Sequence, residues 1–268
     1  MMNFRITLQI FIGLVWSASI SLTGQQSITL ESGIKIGNDT SDTPVAGTLR
    51  WTGEDLQVYT NDFWVSLLTG EAVGSVVTDI DGNTYGTVQI GNQIWMAENL
   101  RTTRFRDGTL IPLVEDLADW NSLSTPAYSW YANDNSLENV YGKLYNWFTV
   151  DDPKGLCPEG WHVPSIAEAI ALSTHLGGDG VSGGKLKSTG TEYWNHPNTG
   201  ATNESGFSAL PGGLKSTAFV AGGLGAYFFT TDLDGNAAQY FILRYTNDDM
   251  IRNSASQKTG VSVRCIKD

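Results

Sequence analysis

The sequence predicts an α+β protein that is mainly β, with short strands, tight turns and few helices. Of its 268 residues, 30 are Gly and 9 are Trp, whereas only 8 are Pro. Many glycines together with many large aromatic residues are typical of short strands, tight turns and an aromatic core. One segment, 165–176, has a clear helix signature. Ser165 and Glu168 form a capping box ahead of an apolar face, and Gly177-Gly178 ends the helix.

Residues 1–24 are predicted to be a signal peptide. Arg5 precedes the apolar run 6–20, and small and polar residues follow up to an expected cleavage near Gly24. The run is too short to span a bilayer comfortably, and no second long apolar run follows it. The alternative is an uncleaved anchor. We therefore expect an exported chain with no membrane span after cleavage, located outside the cell, on its surface or in the periplasm.

Residues 25–73 are predicted to be a small N-terminal β unit with a linker. A strand and turn at 34–39, a hairpin of 47–52 with 56–60, and a strand at 63–67 make up this unit. The unit is too small to bury a good core alone. We expect it to pack on the main domain or on a partner chain.

Residues 74–268 are predicted to be the main domain. Its strongest hairpin signal is Gly91-Asn92, within an expected β-meander over 75–100. The remaining expected elements are a short helix over Tyr141, Leu144, Tyr145 and Phe148, Gly-rich loops over 177–213, and closing strands at 226–231, 238–245 and 260–267.

The chain has two cysteines, Cys157 and Cys265, which fall in separate segments of the main domain. One lies in a turn of Pro, Gly and Trp, and the other lies in the last strand-like run. In an oxidising compartment two cysteines are more often bonded than free, which favours a disulfide closing the domain. The alternative is a pair of buried thiols.

The charge balance argues against nucleic-acid and anionic-membrane partners. The chain carries 16 basic and 28 acidic residues, a formal net charge of −12. The acidic residues are dispersed, and such a surface repels phosphate backbones and anionic lipids.

Six motifs carry a resemblance to a known family. They are DIDGNTY at 79–85, IGNQIWMAENL at 90–100, YGKLYNW at 141–147, CPEGWHVP at 157–164, GFSALPGG at 206–213 and SVRC at 262–265. In this order they resemble the Fibrobacter succinogenes major paralogous domain family over 75–268. The resemblance implies a C-type-lectin-like fold, related to that of formylglycine-generating enzymes, with two short helices on a twisted antiparallel sheet. It also implies a structural role for both cysteines, an exported domain and no established enzymatic activity.

Calcium is the one metal that the pattern and the implied fold suggest testing. Asp-x-Asp-Gly-Asn occurs twice, as Asp79, Asp81 and Asn83 and as Asp232, Asp234 and Asn236. Clustered oxygen ligands suit Ca²⁺, but neither segment has the Gly and Glu spacing of an EF-hand. Flanking strands explain both as turns. We expect no cofactor, with calcium as the alternative.

No catalytic signature is present in the sequence. It lacks the G-x-S-x-G motif of serine hydrolases. Gly184-Lys185 resembles the end of a P-loop, but the first Gly and the following Ser or Thr of that motif are missing. Glycoside hydrolysis needs two carboxylates in one cleft, and the sequence identifies no such pair among its acidic residues. We therefore expect a protein that is not an enzyme. An uncharacterised enzyme on a formylglycine-generating-like fold is an alternative.

Two ring-bearing polar segments are candidates for ligand binding. The candidate residues are Trp130, Tyr131, Asn133, Asp134, Tyr193 and Trp194. Aromatic faces stack on sugar rings, and Asn and Asp supply hydrogen bonds, although each ring is also a candidate for the core. The leading hypothesis is an exported binding or adhesion module for glycan or a surface protein. The alternative is a structural subunit of an outer-membrane or extracellular assembly.

Overall fold

A computed structural model of the protein describes residues 7–12, 16–21, 48–51, 56–60, 63–67, 72–73 and 76–268. The chain divides into two units, 1–70 and 71–268. The strands are β1 (Thr7–Ile12), β2 (Trp16–Ser21), β3 (Leu49–Trp51), β4 (Leu56–Thr60), β5 (Phe63–Ser66), β6 (Ala72–Val73), β7 (Val76–Thr78), β8 (Thr84–Ile90), β9 (Gln93–Met96), β10 (Tyr128–Ser129), β11 (Leu144–Tyr145), β12 (Trp161–His162), β13 (Gly212–Lys215), β14 (Phe219–Gly222), β15 (Gly225–Asp234), β16 (Ala237–Arg244), β17 (Met250–Ser256) and β18 (Ile266–Lys267). The α-helices are α1 (Leu117–Ser122), α2 (Glu138–Tyr141), α3 (Trp147–Val150), α4 (Ile166–His175) and α5 (Asp179–Leu186). These elements confirm the α+β, mainly β class.

The first unit contains two separate antiparallel arrangements. β1 pairs with β2, and β3, β4 and β5 form an antiparallel sheet in chain order. The pairing of β3 with β4 confirms the predicted hairpin. The predicted strand at 34–39 lies outside the described residues. Cleavage of the predicted signal peptide stays a prediction, and no helix among the described residues is long and apolar enough to cross a membrane.

A five-stranded antiparallel sheet joins the two ends of the second unit. Its strand order is β12-β18-β9-β8-β7, so the last strand lies between β12 and β9. β8 and β9 meet at the predicted Gly91-Asn92 turn, where Ile90 pairs with Gln93. Gly91 has φ +62°, the left-handed value that such a tight turn requires. The predicted meander is confirmed.

The disulfide between Cys157 and Cys265 is confirmed. Their Cα atoms lie 6.0 Å apart although 108 residues separate them in sequence. The carbonyl of Cys265 accepts a hydrogen bond from the backbone N–H of Met96 at 3.0 Å. The disulfide therefore ties the turn before β12 to the segment that leads into β18 of the five-stranded sheet.

A three-stranded antiparallel sheet, β15-β16-β17, is covered on both faces. Alternate residues point to opposite faces of a strand. Phe228, Phe241 and Leu243 belong to a core cluster with residues of α4 and α5. Phe229 and Ile242 belong to the cluster that holds the disulfide. Burial of both faces makes this sheet the centre of the domain.

Helix α4 confirms the predicted capping box, but two other expectations were wrong. The predicted helix over Tyr141 to Phe148 is instead α2, β11 and α3, because Gly142 at φ +69° ends α2 and β11 pairs with β10. The predicted Gly-rich loop after 177 contains α5. Gly183 lies so close to the backbone of Asp249 that an added Cβ would come within 2.1 Å of its carbonyl oxygen. Close packing, which only Gly permits, thus outweighs the low helix propensity of Gly.

Candidate functional site

The hairpin of β13 and β14 forms the floor of the candidate site. The ring of Tyr131 lies directly on its backbone, since a Cβ added at Gly222 would stand 2.5 Å from the Tyr131 Cζ. The backbone N–H of Gly222 donates to the Tyr131 hydroxyl at 3.1 Å. Phe219, on β14, meets the Tyr131 ring edge to face at 5.7 Å between centroids. Glycine therefore lets an aromatic side chain pack directly against the backbone of a strand.

Tyr141 and Tyr193 extend this aromatic surface. Their rings meet edge to face with centroids 6.3 Å apart. Tyr141 also packs on the hairpin, because a Cβ added at Gly212 would lie 3.3 Å from the Tyr141 Cβ. Burial raises the pKa of Tyr141, and the proximity of Tyr193 and Tyr131 adds to that rise. Tyr131, Tyr141 and Tyr193 are called the tyrosine cluster below.

Residues on the C-terminal side of Tyr193 anchor its segment to the fold. The backbone N–H of Asn195 donates to the carbonyl of Gly223 at 2.8 Å. Trp194, next to Tyr193, lies in the core with 1% of its surface exposed. Its indole Nε1 donates to the Ala209 carbonyl at 3.1 Å. Tyr193 remains 38% exposed, so adjacent residues anchor the segment and present a ring to solvent.

Backbone strain accompanies the tyrosine cluster. Ala132 and Asn133 follow Tyr131 with φ values of +55° and +54°, and Ala221 on β14 has φ +63°. Left-handed backbone is costly for residues with a Cβ, and alanine has no polar side chain to offset that cost. Strain of this kind concentrates at functional sites, where the surrounding structure holds it in place.

Trp130 belongs to an ion-pair network beside the cluster. Its indole Nε1 donates to one carboxylate oxygen of Glu138 at 2.7 Å, and Lys143 donates to the other at 2.6 Å. Lys143 is 1% exposed and also donates to the Arg101 carbonyl. Burial lowers the pKa of Lys143, and the hydrogen bond with Glu138 opposes that effect. The network fixes the half-buried Trp130 ring in one orientation.

The structure brings some of the candidate ligand-binding residues to the tyrosine cluster and buries Trp194 in the core. It brings Tyr131 and Tyr193 to one surface, and Trp130 is held beside them by Glu138. Asn133 and Asp134 are exposed in the strained turn. The Asn133 amide donates to the Glu115 carbonyl, and one oxygen of the Asp134 carboxylate accepts from the N–H and hydroxyl of Ser136. Trp194 is a core residue and presents no ring to a ligand.

Sequence reasoning missed Tyr141 and the glycine floor. The sequence predicts Tyr141 only as part of a short helix over 141–148, whereas Tyr141 ends α2 and lies half-buried beside Tyr193. The Gly pairs at 212–213 and 222–223 flank Phe219 at a spacing that suits a hairpin. Such pairs indicate close approach of an aromatic ring or another backbone, and they were the available signal.

The first calcium candidate forms a turn. Asp79 accepts four hydrogen bonds, from the N–H groups of Asp81 and Asn83, the Asn83 amide and the Tyr85 hydroxyl. Asp81 accepts from Thr102 and Thr103 and pairs with Arg104 at 3.1 Å. Internal donors therefore surround both carboxylates, so these residues do not fit a calcium site.

The second calcium candidate is a hairpin between two long strands. Asp234 ends β15, and Ala237 begins β16. Asp232 accepts from the N–H of Ile166 at the start of α4, at 2.6 Å. Within the ranges that the structure describes, no cluster of three or more His, Cys, Asp or Glu side chains could hold a metal ion.

A cleft of about 240 Å³ lies beside the disulfide, between the turn at Asp79 and Cys157. Arg106 lines it and donates to the carbonyls of Cys157 and Trp161. The carboxylate of Asp79 is also fully hydrogen-bonded. Asp79 and Arg106 thus stabilise the loops that form this cleft.

Comparison with known proteins gives one family. The chain matches no curated protein and no solved structure. The C-type-lectin-like relation therefore stays an expectation. The model of the Fibrobacter succinogenes major domain matches residues 88–267. That range contains α4, α5, the disulfide and the whole tyrosine cluster, and the chain belongs to the Fibrobacter succinogenes major domain family.

Proposed function

We propose that this protein is an exported, non-catalytic module that binds carbohydrate at the bacterial cell surface through the tyrosine cluster. The observation that supports this most is the meeting of two ring-bearing segments that are far apart in sequence. Tyr193 contacts Tyr141 at 6.3 Å between ring centroids, and both segments lie on the β13-β14 hairpin, against which Tyr131 also packs.

The arrangement suits stacking on sugar rings. An exposed aromatic face offers apolar contact to the C–H face of a pyranose, and neighbouring amides pair with its hydroxyls. Tyr193 supplies the exposed ring, and Asn195 and Asn135 are exposed amides on the two segments. The glycine floor and the anchored Trp194 hold the rings in place before a ligand arrives, which reduces the ordering cost of binding.

Export is supported by two independent features. The predicted signal peptide precedes the domain, and the domain contains a disulfide, a bond that persists in oxidising compartments. The dispersed acidic surface favours solubility outside the cell.

The test is polysaccharide binding by the purified full-length chain. Insoluble cellulose, chitin and cell-wall preparations would be used in sedimentation assays, and soluble glycans in affinity electrophoresis and on an array. Tyr193→Ala is expected to weaken binding about tenfold, equivalent to the loss of about 1.4 kcal/mol of ring contact. Tyr193→Phe keeps the ring and should retain most of the affinity.

Leu233, a similarly exposed apolar residue outside the tyrosine cluster, offers a matched control. Leu233 is 39% exposed, nearly the same fraction as Tyr193, and lies on β15 away from the cluster. Leu233→Ala should leave binding unchanged. Absence of binding to every glycan, or equal loss in both variants, would reject the proposal and favour a protein partner. Binding that disappears in EDTA would show that a metal ion takes part.

A further inference from the structure

We infer that the tyrosine cluster selects uncharged polysaccharides and rejects acidic ones. This inference rests on the proposed function and names its ligand class. It comes from the exposed charged residues of the segments that form the cluster, which are all acidic.

The cluster is built from three segments, 130–143, 190–196 and 212–225, and the structure describes all of them. Their exposed formal charges are the carboxylates of Asp134 and Glu192. Asp134 follows the turn after Tyr131, and its N–H donates to the Tyr131 carbonyl at 3.1 Å. Glu192 directly precedes Tyr193. Each of the two segments that supply Tyr131 and Tyr193 therefore carries an exposed carboxylate within three residues of its tyrosine.

The cations of these segments are withdrawn from solvent. Lys143 is 1% exposed and is bound to Glu138, and Lys215 is 0% exposed. Lys215 donates to the carbonyls of Val114 and Glu115 and to the Ser129 hydroxyl. All their hydrogen-bonding partners are internal. Neither ammonium can therefore meet a carboxylate on a sugar.

Acidic sugars would meet repulsion without compensation. Sites that bind carboxylates generally use Arg or Lys donors. Here a uronate would approach Asp134 and Glu192 with no exposed Arg or Lys in the three segments. At physiological ionic strength the Debye length is about 8 Å, so a sugar carboxylate within that distance of either side chain would be repelled with little screening. Neutral hydroxyls, by contrast, can pair with the exposed Asn135, Asn139 and Asn195.

The experiment uses pairs of polymers that share a backbone and differ in charge. The pairs are cellulose with cellulose carboxylated at C6, and methyl-esterified polygalacturonate with the free acid. The full-length chain should bind the neutral member of at least one pair and bind its acidic partner at least about tenfold more weakly. Equal or tighter binding of the acidic member would overturn the inference while leaving carbohydrate binding intact.

A charge variant locates the selectivity. Asp134→Asn with Glu192→Gln keeps side-chain size and should raise affinity for the acidic polymer, relative to the neutral one, by about fivefold to tenfold. Asp234→Asn with Glu159→Gln removes the same number of exposed charges elsewhere and should leave that ratio unchanged. An unchanged ratio in the first variant, or an equal change in both, would contradict the inference. If no polymer of any pair binds, the proposed function fails and the inference fails with it.

Discussion

The ammonium of Lys187 lies 5.5 Å from the centroid of the Trp194 ring, and both side chains are buried. Lys187 donates to the carbonyls of Thr199, Arg244 and Asn247 at 2.7–2.9 Å. A single cation thus joins the loop after α5 to the loop that follows β16. Burial lowers the pKa of Lys187 to about 8, so the ammonium is still mostly charged at neutral pH.

Trp194→Ala should destabilise the fold, whereas Tyr193→Ala should not. Removing the fully buried indole leaves a cavity and takes one of two donors from the Ala209 carbonyl, which also accepts from the Ser188 N–H. We expect a loss of about 3–5 kcal/mol in the free energy of unfolding. Tyr193 is 38% exposed, and its truncation should change that free energy by less than about 1 kcal/mol. Urea unfolding followed by circular dichroism measures both. Equal losses in these adjacent variants would contradict the assignment of one ring to the core and the other to the surface.

Lys187→Met should cost about 3 kcal/mol of stability. The change keeps the aliphatic length but takes the ammonium donor from three carbonyl oxygens in a partly buried site. Hydrogen exchange in 187–206 should rise along with the global loss, because that loop depends on the ammonium. Lys267, exposed on β18, is the control, and Lys267→Met should stay within about 0.5 kcal/mol of the natural chain. A loss below about 1 kcal/mol for Lys187→Met would mean that water replaces the ammonium.

Features that depend on local sequence were predictable in this chain. The Gly91-Asn92 hairpin and the capping box of Ser165 and Glu168 follow from turn and cap chemistry within a few residues. The expected closing strands at 226–231 and 238–245 correspond to β15 and β16. Helix α5 was not predictable, since Gly183 and Gly184 within it are explained only by their closeness to Asp249 and Gly200.

The candidate site was predictable only in its parts. The ring-bearing segments were identified, but their meeting depends on Tyr141 contacting Tyr193 across the fold. The burial of Lys187 and Lys215 could not be predicted from the sequence either. Lysine is normally exposed, and no neighbouring residue in the sequence marks these two as buried. Likewise, the exposure of Tyr193 and the burial of Trp194 arise from the tertiary anchor at Ala209.

Removing the disulfide should lower stability by about 4–5 kcal/mol. The bond closes a loop of 108 residues, and the chain-entropy model assigns a stabilisation of this size to such a loop. The double variant Cys157→Ala and Cys265→Ala leaves no free thiol, and urea unfolding measures the loss. The natural chain should lose similar stability in dithiothreitol, while the double variant should not respond to it. A loss below about 1 kcal/mol would show that the pairing of β18 with β12 and β9 suffices to hold the ends together.

His162 should make stability depend on pH in a defined direction. Its Nδ1 lies 2.6 Å from a carboxylate oxygen of Asp268, and its Nε2 lies 2.9 Å from one of Glu168. Burial lowers the pKa of His162, but the hydrogen bonds with Asp268 and Glu168 outweigh that effect and raise it overall. Burial raises the pKa of Glu168, while hydrogen bonds from Ser165 and His162 outweigh it and lower the value overall, so Glu168 stays ionised near neutral pH.

A raised folded-state pKa means that protonation favours the native state. The stabilisation is therefore complete below the unfolded-state value of about 6.5 and is lost as pH rises through the higher folded-state pKa. The side chain of His162 is 40% exposed, so solvent screening should keep the effect below about 1 kcal/mol. Urea midpoints measured from about pH 5.5 to 8.5 should fall with rising pH in the natural chain and fall less in His162→Gln. An imidazole titration followed by NMR gives the folded-state pKa directly. A value below about 6.5 would contradict stabilisation of protonated His162 by Asp268 and Glu168.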